Sequence, residues 1–483
     1  MQSLLYSVRF SVVLKYFGHF NLVLAVLALV PLTASLFLGD YAVSVRYVAV
    51  IVVFIAIGSG FSRLAAPRRM QVNEAMTVAA MTFLFSPLVM AYPMMASGLS
   101  FPDAFFEAVS AVTTTGLSVT ATVEDKPATF LFARAWMQWY GGLGIAVMAL
   151  AVLIKPGQAA RRLGDLADYD DDLVGTTRSH VKHVLLVYGG LTLVGILVLA
   201  ALGTGWWDAV LYIFAAVSTG GFAPYDNSLV ALGGNWPQGT VLIFSVAGGI
   251  SFVFYRQFFQ ENRQGLFHDT QTRAFLVICP AAMLLTAFFL WFENGFQWST
   301  ALLQGGFNAL SAQTTAGFSS MDISQVGAGG KFILVLSMLS GGCLGSTAGG
   351  IKILRLLILM HFFRLLIMKT AAPKHAVSHI RIGGKPLETE ELLNALSVLL
   401  LYILVTALSI LPFLAMGYDP MNSFFEVASA IGTAGLSTGI TGPDLHPFLK
   451  GVLCADMLMG RLEIVAWIVV LAPRTWIGQR MEE

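Results

Sequence analysis

The sequence predicts an all-α polytopic membrane protein: two N-terminal spans, then four alike units, each with a half-length helix between two spans. Three observations predict it. Of 483 residues, 57% are hydrophobic and 11% charged, with a mean hydropathy of +0.76, whereas charged residues make up about a quarter of a soluble domain. Apolar runs recur near the roughly 20-residue length that crosses a bilayer core. Between them, a short polar pattern of threonine and glycine returns four times.

The first run, Phe20 to Leu38, follows Arg9 and Lys15 and carries no cleavage-site pattern, so it is expected as a retained span. With Tyr47 to Phe61 it makes up an N-terminal part, 1–70. The first unit (71–160) has expected spans at Met76 to Ala96 and Phe130 to Ile154. The second (161–265), with a cytoplasmic linker, has them at His183 to Leu202 and Thr240 to Phe259. The third (266–385) has Ala274 to Phe292 and the long Phe332 to Met368, and the fourth (386–483) has Leu392 to Met416 and Phe448 to Leu471. Cys279, Cys343 and Cys454 all fall in apolar runs without a CxxC or Cys/His pattern and read as small buried hydrophobes. A net charge of +1 gives no reason to expect nucleic acid as a partner; membrane lipid is the medium.

The repeated pattern is "TTTGL", "STGGF", "TTAGF" and "GTAGL", aligned on Gly116, Gly221, Gly317 and Gly435. Each copy has threonine two residues earlier (Thr114, Thr219, Thr315, Thr433) and Leu or Phe directly after. By subtraction the spacings are 105, 96 and 118 residues, the size of a module and too long for a solenoid repeat. Ahead of each copy lies an apolar segment ("DAFFEAVSA", "DAVLYIFAA", "ALLQGGFNALSA", "SFFEVASA") too short for a full crossing. Two spans per unit return the chain to its starting side, so all four units share one orientation. Four pseudo-symmetric modules can therefore surround a central pore.

Lys and Arg crowd the segments on one side: Arg63, Arg68 and Arg69, then Lys155 to Lys182, Arg256 to Arg273, Lys352 to Lys385, and Arg474 and Arg480. The positive-inside rule makes that side cytoplasmic, with both termini on it. The glycine loops then enter from outside, among Asp103, Glu107, Asp208, Asp226, Asp322, Asp419 and Glu426. An acidic mouth raises the local concentration of cations.

Non-helical backbone survives at membrane depth only where protein buries it or where it lines a wet cavity. Glycine accepts positive φ at little cost and lets consecutive carbonyls point inward. Carbonyls from four loops can replace the hydration shell of a monovalent cation, helped by the negative C-terminal ends of the half-helices. The residue before each glycine differs (Thr115, Gly220, Ala316, Ala434), so backbone oxygens are the ligands common to all four.

Below the loops, the second spans carry small residues at matching depth: "GGLGI", "AGGISF", "GGCLGSTAGGIK" and "MGRLEI". Small residues let helices pack closely, which accounts for the first two. The third, Gly341 to Lys352, holds five glycines, each costing a helix about 1 kcal/mol relative to alanine. A break is expected there, with Gly345, Ser346, Thr347, Ala348, Gly349, Gly350 and Lys352 forming a gate beneath the pore. It does not meet the phosphate-binding pattern G-x-x-x-x-G-K-[ST]. Arg461 places a fixed charge in an apolar span. Either it bridges to Glu463 or Asp456, or it reaches the loop and repels cations until that loop moves.

The four loops, the paired N-terminal spans, "GGCLGSTAGGIK" and "MGRLEI" together resemble the TrkH family, the membrane subunits of the bacterial Trk potassium-uptake system within the Trk/Ktr/HKT superfamily. The likeness covers the whole chain. It implies one filter glycine per module and, with Gly116 rather than serine in the first, potassium as the transported ion. It also implies an inner-membrane location, a homodimer and a TrkA-like cytosolic nucleotide-binding subunit, for which the linker Lys155 to His183 and the stretch His361 to Lys385 are expected docking points. No organic cofactor is expected. The alternative is a proton- or sodium-coupled potassium symporter using Glu107 or Glu426 as the titrating acid. An enzyme is not expected, since no span brings together His, Asp, Glu or Ser in a catalytic set.

Overall fold

The computed structural model describes residues 7–67, 70–153, 173–255, 269–371, 381–382, 385–387 and 389–477. Arg68, Arg69, Lys155, Arg161, Arg162, Arg256, Arg263 and Arg480, most of the 155–183 linker and part of the 361–385 stretch lie outside the described residues.

Helices α1 (Phe10–Phe37) and α2 (Tyr41–Ser62) form an N-terminal hairpin. Gly39 turns it with φ 74°, and the Asp40 carboxylate caps α2 by accepting from the Val43 N–H at 3.3 Å. Close packing explains two glycines in it: a Cβ on Gly18 would lie 2.6 Å from Ser62 N, and one on Gly58 would lie 2.7 Å from the Leu22 side chain. The second Asp40 oxygen accepts from Thr129 Oγ1 at 2.8 Å, tying the hairpin to the first unit.

Four times the chain then runs long helix, short helix, polar turn, helix. The first unit is α3 (Val72–Met94), α4 (Phe101–Val112) and α5 (Ala128–Leu153); the second is α6 (Leu173–Ala201), α7 (Trp206–Val217) and α8 (Asn235–Gly249). The third is α9 (Thr270–Phe292), α10 (Trp298–Gln313), α11 (Ala328–Ser340) and α12 (Ile353–Ala371). The fourth is α13 (Thr389–Ala415), α14 (Pro420–Ile431), α15 (Pro447–Arg461) and α16 (Glu463–Leu471), followed by the short α17 (Pro473–Trp476). Residues Arg381–Ile382 and Lys385–Pro386 pair as a two-residue antiparallel ladder.

Among the described residues, six helices are long and apolar enough to cross a bilayer: Phe10–Phe37, Tyr41–Ser62, Val72–Ser97, Val181–Ala201, Thr270–Phe292 and Thr389–Ala415. Their outer faces leave Leu186, Val277, Leu400 and Ile403 exposed, as lipid contact requires. Three short helices have 12 residues and α10 has 16. At 1.5 Å per residue, 12 residues reach about 18 Å, well short of the bilayer core. Their starts are set by capping: Ser100 accepts from Asp103 N and Asp419 from Asn422 N, each with a proline in the first turn.

The break expected in the third unit is present between α11 and α12. The second and fourth units also break, which the sequence reading did not anticipate. Helix α8 stops at Gly249, and Ile250 is extended (φ −86°, ψ 144°), because the Phe252 N–H is taken by the Gly345 carbonyl at 3.0 Å. Helices α15 and α16 meet at Glu463, whose φ is 59°; its carboxylate is held by Arg355 at 2.6 Å. In both, a tertiary contact supplies what the helix loses.

Candidate functional site

Each short helix ends in the same way. The Thr114 N–H bonds to the Ala111 carbonyl at 3.0 Å and the Thr115 N–H to the Ser110 carbonyl at 2.8 Å, the paired bonds of a Schellman termination. The same pair forms at Thr219 and Gly220, at Thr315 and Ala316, and at Thr433 and Ala434. Such an ending needs a left-handed residue, normally glycine. Here it is threonine each time, with φ 53°, 53°, 52° and 49°, at a cost of about 1–2 kcal/mol each. The same strained conformation thus recurs at four equivalent places.

Two residues on, Gly116, Gly221, Gly317 and Gly435 have φ of 93°, 79°, 76° and 86°. They form a closed ring. A Cβ on Gly116 would strike the Gly220 carbonyl oxygen; on Gly221, the Ala316 oxygen; on Gly317, the Ala434 oxygen; and on Gly435, the Thr115 oxygen. Each loop therefore touches the next, and the fourth returns to the first. All twelve residues singled out in the sequence, Thr114 to Gly116, Thr219 to Gly221, Thr315 to Gly317 and Thr433 to Gly435, belong to this ring. Among the described residues the buried hydroxyls of Thr114 and Thr433 meet no hydrogen-bond partner.

Directly against the threonines lies the 341–352 loop. Thr347 Oγ1 is 3.4 Å from Thr219 Oγ1 and 2.9 Å from the Gly248 carbonyl. The Gly349 N–H donates to Thr315 Oγ1 at 2.7 Å, and a Cβ there would strike Thr433 Oγ1. Gly341, Gly345, Gly350 and Lys352 all have positive φ, Ser346 Oγ donates to the Cys343 carbonyl at 2.6 Å, and Lys352 Nζ donates to the Ala348 carbonyl. Arg461 reaches across: its Nη1 donates to the Thr347 carbonyl at 2.8 Å and its Nη2 to the Gly141 carbonyl at 3.5 Å. The expected alternative of a bridge to Glu463 or Asp456 is not formed, since Glu463 pairs with Arg355 and Asp456 accepts from Ser409 Oγ at 2.7 Å.

Two glutamines escaped the sequence reading. Gln138 Nε2 donates to the Gly220 carbonyl at 2.6 Å and its Oε1 accepts from the Phe222 N–H at 3.1 Å. Gln313 Nε2 donates to the Gly341 carbonyl at 2.7 Å. Their signal was a buried polar side chain in an apolar run. The candidate acids Glu107 and Glu426 are fully buried behind the ring rather than open to the mouth.

A family model described as TrkH, cation transport protein, matches residues 44–476. The chain belongs to the TrkH family. Relatives of this TrkH-family chain include the Trk system potassium uptake protein TrkG of Escherichia coli, 28% identical over 92% of this chain and 94% of that one. The Trk system potassium uptake protein TrkI of Halomonas elongata is 32% identical over 82% and 81%. The fold matches the crystal structure of the potassium transporter TrkH from Vibrio parahaemolyticus, with a TM-score of 0.87 at 24% identity, over 97% of this chain and 100% of that one. It is thus a multi-pass membrane transport protein and not an enzyme. Among the described residues no group of three or more His, Cys, Asp or Glu gathers, and the ring offers main-chain oxygens.

The matching glycines below the ring have a common packing role in this TrkH-family chain. A Cβ on Gly141 would strike the Val112 carbonyl, on Gly248 the Val217 carbonyl, and on Gly460 the Ile431 carbonyl. The small-residue explanation therefore extends to the fourth unit. Gly141→Val is expected to cost about 1–3 kcal/mol, read as a lower melting temperature in detergent. Gly144→Ala, inside the same helix with nothing within 4 Å of an added Cβ, is expected to raise the melting temperature slightly, since alanine favours a helix over glycine by up to about 1 kcal/mol.

Proposed function

We propose that the chain takes up potassium across the bacterial inner membrane through a channel-like selectivity filter formed by the four glycine loops, with the 341–352 loop and Arg461 as its gate. The observation that carries this reading is the closed ring, each glycine lying against the next loop's carbonyl oxygen. A dehydrated cation entering it exchanges water for main-chain oxygens whose spacing is held by contact all around. Relatives named as Trk system potassium uptake proteins support potassium as the cargo. The modules are those bounded at 71–160, 161–265, 266–385 and 386–483, with 1–70 outside the ring.

In this reading the gate loop closes the pathway from below, because it fills the space beside Thr219, Thr315 and Thr433. A TrkA-like cytosolic nucleotide-binding subunit moves it, two copies of the chain associate as a homodimer, and both termini are cytoplasmic by the distribution of Lys and Arg. The test is rescue of growth of a bacterium lacking potassium uptake at low external potassium. Wild type is expected to restore growth, and purified protein in liposomes is expected to carry potassium in proportion to voltage whatever the pH gradient. Uptake that follows the pH gradient at fixed voltage would instead establish the coupled symporter.

A further inference from the structure

Nine residues before each glycine of the ring stand Glu107, Tyr212, Asn308 and Glu426, none more than 1% exposed. All four side chains reach behind the ring to the chain that leaves it. Glu107 Oε1 accepts from Ser118 Oγ at 2.6 Å, the Val119 N–H at 2.8 Å and Thr120 Oγ1 at 3.1 Å. Glu426 Oε1 accepts from Ser437 Oγ at 2.8 Å, the Thr438 N–H at 2.7 Å and Thr438 Oγ1 at 3.0 Å, while its Oε2 accepts from Thr441 Oγ1 at 2.5 Å. Asn308 accepts from the Ser320 N–H at 3.2 Å and donates to Ser320 Oγ at 3.0 Å. Tyr212 donates to the Ser228 carbonyl at 2.7 Å.

In three of the units, one backbone group recurs: the N–H of the third residue after the glycine (Val119, Ser320, Thr438). It lies outside any helix or strand and so has no partner within one, which leaves it to a side chain to satisfy it. Burying a carboxylate to do so is costly unless several donors surround it, and Glu107 and Glu426 each have three or more. Glu107 also couples two loops. Its Oε2 lies 3.1 Å from Arg134 Nε, and the Arg134 guanidinium covers the ring of Phe222, the residue after Gly221, at 3.7 Å.

We propose that Glu107 and Glu426, with Asn308 in the third unit, are positioning residues of the selectivity filter: they anchor the chain just past each glycine from behind and so fix how far the filter carbonyls stand from the axis. This rests on the filter reading above. It predicts that removing an anchor relaxes ion discrimination before it abolishes flux, which loss of fold alone does not do.

The test compares potassium and sodium flux in liposomes for the full chain and its variants. Glu426→Ala is expected to lower the potassium-to-sodium ratio at least about tenfold while sodium still passes, the loss of an acceptor for several buried donors. Glu426→Gln keeps an oxygen for Ser437 and Thr438 and is expected to hold the ratio within about threefold. Should Glu426→Ala fail to insert, the double variant Ser437→Ala, Thr441→Val removes two of the donors and is expected to lower the ratio in the same direction. Equal loss of both fluxes with an unchanged ratio in the inserted variants overturns the proposal and leaves a structural role only. Gly116→Ser in the same series separates the two readings: if it shifts the ratio and the Glu426 variants do not, only the anchor fails, and if it does not, the filter reading itself fails.

Discussion

Gly116→Ser is expected to reduce discrimination of potassium from sodium by about tenfold to a hundredfold, the largest effect of any single change outside the gate. Two costs coincide at this position. Its φ of 93° is strained for any side chain, and the new Cβ would meet the Gly220 carbonyl oxygen, a proposed ligand of the adjoining module. Relief requires that oxygen to turn away, although Gln138 holds it from the other side at 2.6 Å. The ring then loses a ligand, and an energy difference of about 1.4–2.8 kcal/mol between the two ions accounts for the stated range. Competition of sodium with potassium uptake measures it. An unchanged competition curve at wild-type expression would show that the four glycines do not contact the ion.

Arg461→Gln is expected to raise basal potassium flux by about tenfold or more in liposomes that hold the chain alone. In the proposed pathway the guanidinium supplies two barriers. It clamps the Thr347 carbonyl at 2.8 Å, and its positive charge would stand beside a cation passing the 341–352 loop. At an effective dielectric constant of 20, a unit charge about 6 Å away opposes a cation by about 3 kcal/mol. Glutamine removes the charge and shortens the reach. Arg461→Lys keeps the charge without the planar fork and is expected to give a smaller rise, so the pair of variants separates charge from clamp. Flux identical to wild type in both would assign Arg461 to packing.

The two sites are linked through the 341–352 loop. Gln313 at the end of α10 holds Gly341, where the loop begins, and Arg355, just after the loop, pairs with Glu463 at the break in the fourth unit. A movement of α12 away from the ring therefore acts at once on the Arg461 segment and on the loop it clamps. Modules two, three and four all contribute a broken second helix to this region.

Much of this was legible in the sequence because it depends on local chemistry repeated in register. Hydropathy announces the six long spans found among the described residues, and the recurrence of Thr two places before Gly locates every loop of the ring. The half-helices follow from length. The glycine-rich 341–352 stretch foretells its own break, because five glycines cannot hold a helix against that backbone entropy.

Other features had no local signal. The breaks at Ile250 and Glu463 occur in runs that would otherwise propagate as helix, and they exist because Gly345 and Arg355, distant in sequence, offer replacement bonds. Glu107 and Glu426 read as an acidic mouth until folding turned them inward onto the backbone of their own modules. Arg461 had three available partners by sequence, and which one it takes is a matter of distance, settled only when the third and fourth units pack. By itself, then, the sequence determined the membrane class, the four-unit plan and the place of each loop, since those rest on composition and backbone preference. Tertiary structure decided that the loops close head to tail and which buried charge meets which carbonyl, because such contacts join residues about a hundred or more positions apart.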